Sequence, residues 1–145
     1  MFHLVKFVAA LPDFKLSVQF KEGVTKIYDV KPWFNKQKVF HQLFDLRLFY
    51  SVKVDMGGFG ISWNDEVDLH CNELWNKGIQ VQTPFDNLLA LSDATRLWGL
   101  NESTLRKAIS YGKLINGVDV MKFGKQWVIT RSAMEREYGL PQDDD

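Results

Sequence analysis

Cysteine is almost missing from this chain. Cys71 stands alone, so no internal disulfide can form, and a reducing compartment is implied. No apolar run approaches the roughly 18 residues of a membrane-crossing helix. The opening residues, Met1 to Lys6, lack the layout of a signal peptide. Together these absences predict a cytoplasmic protein with no membrane partner. Catalytic and metal-binding patterns are missing too. His3 and His41 are isolated, and the adjacent His70 and Cys71 lack zinc-ligand spacing. Adjacent strand residues also face opposite sides. Asp65, Glu66 and Asp68 read as turn acids, and no Ser/His/Asp set or carboxylate pair can be found. Gly57-Gly58-Phe59-Gly60 lacks the Gly-Lys-Ser/Thr ending of a phosphate loop and reads as a hairpin turn. We therefore expect no enzyme activity, no catalytic residue, no metal and no cofactor.

Net charge is zero, which excludes a strongly basic nucleic-acid binder. The average hides a division. Residues 88–139 hold eight cations against five anions, residues 1–87 hold ten of each, and Asp143, Asp144 and Asp145 cancel the difference. An apolar content of 46% is ample for packed cores.

What the chain does contain is concentrated after residue 88. Ala94, Leu97 and Trp98 recur at i, i+3, i+4, as do Leu105, Ala108 and Ile109, which predicts two short helices. Ser92 is the expected N-cap of the first and Asn101 of the second. Gly99 and Gly112 are the expected stops. The connection Gly99-Leu100-Asn101 has the length and the glycine of a helix-turn-helix. At 100° per residue, Ser103, Lys107 and Ser110 point away from the buried stripe. Arg106 flanks them on one side, Thr104 and Tyr111 on the other. Such residues suit a helix in a major groove, although an ordinary solvated face carries the same types. The following segment favours the groove. Val118–Phe123 and Gln126–Thr130 read as a hairpin around Gly124-Lys125, with Lys122 and Lys125 near its tip. Ser132 and Glu135 read as a capping box opening a last helix.

This order of elements resembles the excisionase-like, MerR-type winged-helix family. The matching positions are Ala94, Gly99-Leu100-Asn101, Thr104, Gly112-Lys113-Leu114, Gly124-Lys125-Gln126-Trp127 and the helix from Ser132. The resemblance implies a winged helix-turn-helix domain that binds duplex DNA. Glu102 departs from the pattern, standing where the family often has a basic or neutral residue.

The first half reads as a separate α+β domain. Leu16, Val18 and Phe20 alternate with Lys15, Ser17, Gln19 and Lys21, as in a strand with one solvated face. Val24–Val30 follows a Glu22-Gly23 turn, and Pro32 ends that strand. A short helix is expected around Val39–Phe44, a second hairpin from Val52 to Trp63, and a closing helix from Asn72 to a Gly78 cap. Tyr28-Asp29-Val30-Lys31-Pro32, Gly57–Trp63 and Asp68-Leu69 resemble the recurring features of a small uncharacterised bacterial and phage α+β family. Its members are linked to antitoxin-like roles beside small toxins.

The sequence thus predicts an α+β fold in which a small antiparallel-sheet domain with short helices is followed by a winged helix-turn-helix domain. The expected bounds are 1–79 for the first domain, 80–87 for a linker, 88–140 for the second domain and 141–145 for a disordered acidic tail. The expected function is a DNA-binding transcriptional regulator, prokaryotic or phage. Ser103, Thr104, Arg106, Lys107, Ser110 and Tyr111 would sit on the DNA-facing helix, and Lys113, Lys122 and Lys125 would meet phosphate. The first domain would form a homodimer or bind a partner. The alternative is an antitoxin-like interaction module, bound to a small toxin-like protein, whose winged helix is a scaffold or an autoregulatory element.

Overall fold

A computed structural model describes residues 2–141; of the acidic tail expected at 141–145, residues 142–145 lie outside the described residues. The chain divides into two compact units, Phe2–Pro84 and the part from Phe85 onward. Both are mixed α+β, with small antiparallel sheets and short helices. No helix among the described residues is long and apolar enough to cross a membrane.

In the first unit, β1 (Val5–Leu11), β2 (Lys15–Phe20), β3 (Thr25–Asp29) and β7 (Ile79–Val81) form an antiparallel sheet in the order β1-β2-β3-β7. Leu16, Val18 and Phe20 are all fully buried, as the alternation in β2 requires. A second sheet joins β4 (Lys53–Val54), β5 (Gly60–Ser62) and β6 (Asp68–His70). Two 3-10 segments, Lys31–Asn35 and Lys38–Phe44, precede α1 (Leu46–Phe49), and α2 (Cys71–Lys77) packs on β3 and β6.

The residues behind the resemblance in this unit serve the fold. Tyr28 accepts from Trp33 Nε1 at 2.7 Å and donates to Glu73 Oε2 at 2.6 Å, tying β3 to α2. Burial, with Glu73 as its hydrogen-bond partner, pushes the Tyr28 phenol well above its usual range. Trp63 Nε1 donates to the Phe49 carbonyl at 2.9 Å. His70 caps α2, its Nδ1 accepting from Asn72 N–H at 3.1 Å, and the Cys71 thiol is buried.

One expectation holds here and one needs correction. Gly78 caps α2, its N–H donating to the Leu74 carbonyl at 3.0 Å, though its φ of −70° is not left-handed. A Cβ there would meet the Leu74 carbonyl at 2.6 Å and Lys26 Cβ at 2.9 Å, so the glycine permits close approach instead of a turn. Gln80 and Val81, read as the start of a linker, pair with Lys26 and Thr25 in β7.

The second unit opens with β8 (Leu88–Ala90), then α3 (Leu91–Trp98), α4 (Glu102–Ser110), β9 (Val120–Phe123), β10 (Gln126–Thr130) and α5 (Arg131–Tyr138). Its antiparallel sheet has the order β8-β10-β9. β8 is too short for its alternation to register in the sequence. It also displaces the first cap: Ala90 leads straight from strand into helix, and Ser92 lies inside the first turn of α3. Leu91 is thereby turned into the core. Gly99 ends α3 in the left-handed region, φ 63°, and Leu100 N–H returns to the Thr95 carbonyl at 3.0 Å. Asn101 holds the N-cap position of α4 without a side-chain bond. Leu105, Ala108 and Leu114 are buried with Leu97, Trp98, Ile129 and Met134.

The last helix is also capped differently from expectation. Thr130 Oγ1, not Ser132, accepts from Ala133 N–H at 3.1 Å. Asn87 reaches across to the same helix start. Its Oδ1 accepts from Ser132 N–H at 2.9 Å, and its carbonyl accepts from Arg131 N–H at 2.8 Å. Glu135 pairs with Arg131 at 3.1 Å and so does not close a capping box.

Candidate nucleic-acid interface

α4 commits one side to the core, through Leu105 and Ala108, and leaves the other in solvent. Ser103, Thr104, Arg106, Lys107 and Ser110 are exposed along it, and Tyr111 is exposed at its C-cap. The helix supports this split because its apolar residues fall at i, i+3, i+4, while the polar positions between them need no partner.

The cations are not equivalent. Lys107 and Lys125 are exposed, and Lys125 lies in the two-residue turn joining β9 to β10. Lys113 holds its ammonium 4.7 Å above the Tyr138 ring. Lys122 sits 5.7 Å from the ring centre of its cross-strand neighbour Trp127. Such ring contacts keep an ammonium in place while leaving its donors for a phosphate. Arg106 Nη2 donates to Glu102 Oε1 at 2.9 Å, one helical turn away. Glu102, which departs from the winged-helix pattern, thus has a partner on its own helix, and the i, i+4 spacing to Arg106 is the signal for this pair.

The hairpin that follows depends on a group absent from the sequence reading. Val118, expected inside the strand, is 70% exposed, and β9 begins at Val120. Asp119 turns inward instead and is 3% exposed. Its carboxylate accepts from Ile115 N–H at 2.8 Å and from both terminal nitrogens of Arg136 at 3.0 and 2.8 Å. Arg136 first, and the Ile115 amide second, hold the Asp119 carboxyl below the usual carboxylate range. This two-pronged pair ties the loop before β9 to α5. Beyond it the hairpin exposes Met121 and Phe123.

Residues 80–142 match the family described as helix-turn-helix domain. Residues 5–80 match the family described as protein of unknown function, DUF2442. No curated protein and no solved structure matches the chain.

Proposed function

The chain belongs to the DUF2442 family through residues 5–80, and from that premise and the helix-turn-helix domain beside it we propose a cytoplasmic DNA-binding transcriptional regulator. The carrying observation is the outward side of α4. Ser103, Arg106, Lys107 and Ser110 lie in solvent on a helix whose opposite side is wholly taken up by the core. In this reading α4 enters the major groove, with Thr104 and Tyr111 at its margins. The β9–β10 hairpin acts as a wing of the excisionase-like and MerR type. Lys113, Lys122 and Lys125 supply sequence-independent affinity for phosphate. The DUF2442 unit dimerises the protein or receives a partner.

Lys107→Ala tests the reading in the full-length protein. Lys107 supports no core contact, so the melting temperature should stay within a few degrees, because surface changes usually cost under about 0.5 kcal/mol. Affinity for the upstream DNA of its own gene should fall by roughly 1–3 kcal/mol if Lys107 reads a base. A phosphate contact would instead lower the salt slope by about 1. A gel shift at low salt in which the unaltered protein binds no duplex would refute the role.

One observation favours a second reading. Arg106 is already paired with Glu102, which lowers the net charge that α4 offers to DNA. An antitoxin-like module bound to a small toxin-like protein, with the winged helix as scaffold, would need no basic face. Co-purification of a 1:1 complex with such a partner, from a protein that shifts no DNA, would select it.

A further inference from the structure

We propose that Glu102 and Arg106 work as one reader of a G·C base pair, Arg106 taking the guanine and Glu102 the cytosine. The inference rests on the DNA-binding reading of α4 and gives that helix a base preference. Glu102 is the first residue of α4, and the leading residues of a recognition helix lie nearest the base edges. Arg106 follows one turn later on the same stripe, and the two are 54% and 56% exposed.

An exposed i, i+4 ion pair contributes little to folding. A carboxylate at the leading end of a groove-binding helix is repelled by phosphate unless it meets a hydrogen-bond donor. The major groove offers two such donors, cytosine N4 and adenine N6. Arg106 decides between them. One of its five N–H groups is held by Glu102, and the rest of the fork can reach two neighbouring acceptors. Across a G·C pair the groove edge runs acceptor, acceptor, donor: guanine N7, guanine O6, cytosine N4. Across an A·T pair the donor lies between two acceptors, an order that separates the targets of the fork. The Arg106–Glu102 separation of 2.9 Å is a hydrogen-bond spacing, the same at which guanine O6 and cytosine N4 face each other. The i, i+4 pairing biases both side chains toward this arrangement before contact, which trims the entropic cost of binding.

The experiment is selection from a random-core DNA duplex pool by the full-length protein, followed by the same selection with Glu102→Gln, Arg106→Ala and Arg106→Lys. Far-ultraviolet circular dichroism of each variant checks that α4 is kept. The expected result is a selected site with one strongly preferred G·C pair. That preference should drop on the order of tenfold in each variant while the rest of the site is unchanged. Arg106→Lys should fail to restore it, since an ammonium has no fork. A site selected by the unaltered protein and kept in full by folded Glu102→Gln protein overturns the paired reader and leaves DNA binding standing. No selection by the unaltered protein overturns both.

Discussion

Leu105→Ala should strip the second unit of most of its stability. Leu105 is 0% exposed and lies where α4 meets the core formed by Leu97, Trp98, Leu114 and Ile129. Truncating a buried leucine costs about 2–5 kcal/mol, part transfer and part cavity. A unit beginning at Phe85 in a 145-residue chain is small. At roughly 0.05–0.15 kcal/mol per residue, it has about 3–9 kcal/mol of stability to lose. The mutation therefore removes most of it. The two units preclude reading one melting curve as one transition, so the measurement is amide hydrogen exchange along α3 and α4 of the full-length protein. Exchange there should accelerate by roughly one and a half to three and a half orders of magnitude, at about 1.4 kcal/mol per tenfold, while amides of β2 and β3 stay protected. Unchanged protection in α4 would show that the cavity collapses without cost.

Asp119→Ala should have the second largest effect, and it depends on pH. The buried carboxylate loses three charge-assisted hydrogen bonds, and the Ile115 amide loses its partner. About 1.5–3 kcal/mol is expected, with the lower end favoured because Arg136 is half exposed and water screens it. The sign follows from the lowered folded value of Asp119. Its contribution is present above the unfolded value near 3.9 and is lost as pH falls through the folded value. Chemical denaturation between about pH 7 and pH 2, followed by amide NMR signals of the second unit alone, should show the original protein and Asp119→Ala converging toward the acid end. A stability difference that stays constant over that range would mean that the carboxylate's charge plays no part.

Most of α3 and α4 was legible in the sequence, because each helix declares its buried side through spacing that the chain alone contains. Leu105, Ala108, Gly99 and the alternation of Leu16, Val18 and Phe20 fall where periodicity puts them. The features that escaped depend on distant residues. Ser132 and Glu135 match a capping box, yet the start of α5 is set by Thr130 and by Asn87, 45 residues before Ser132. Asp119 sits in a β-branched run, and its burial follows from Arg136, 17 residues later. Gly78 shows the same limit. Its place after a helix suggests a cap, and only the nearness of Lys26 reveals the closer packing it permits.

The candidate interface divides in the same way. Helical geometry alone places Ser103, Lys107 and Ser110 outward. What the charged neighbours already touch came from the structure: Arg106 with Glu102, Lys113 with Tyr138 and Lys122 with Trp127. Those contacts separate cations held against a ring or an acid from Lys107 and Lys125, which lie open in solvent.

The strand order β8-β10-β9 has a bearing on synthesis. β8 is made first, yet its partner is the central strand, and Ala90 must wait for Val128. As the chain leaves the ribosome, α3 and α4 can coil as soon as their own residues are free. The sheet on which they rest cannot close until β10 has emerged, since long-range pairings form only after the intervening loop is complete. Until then Leu89 and Leu91 have no finished core to enter. The interval before residue 130 appears is when this unit is most open to capture by a chaperone or to aggregation.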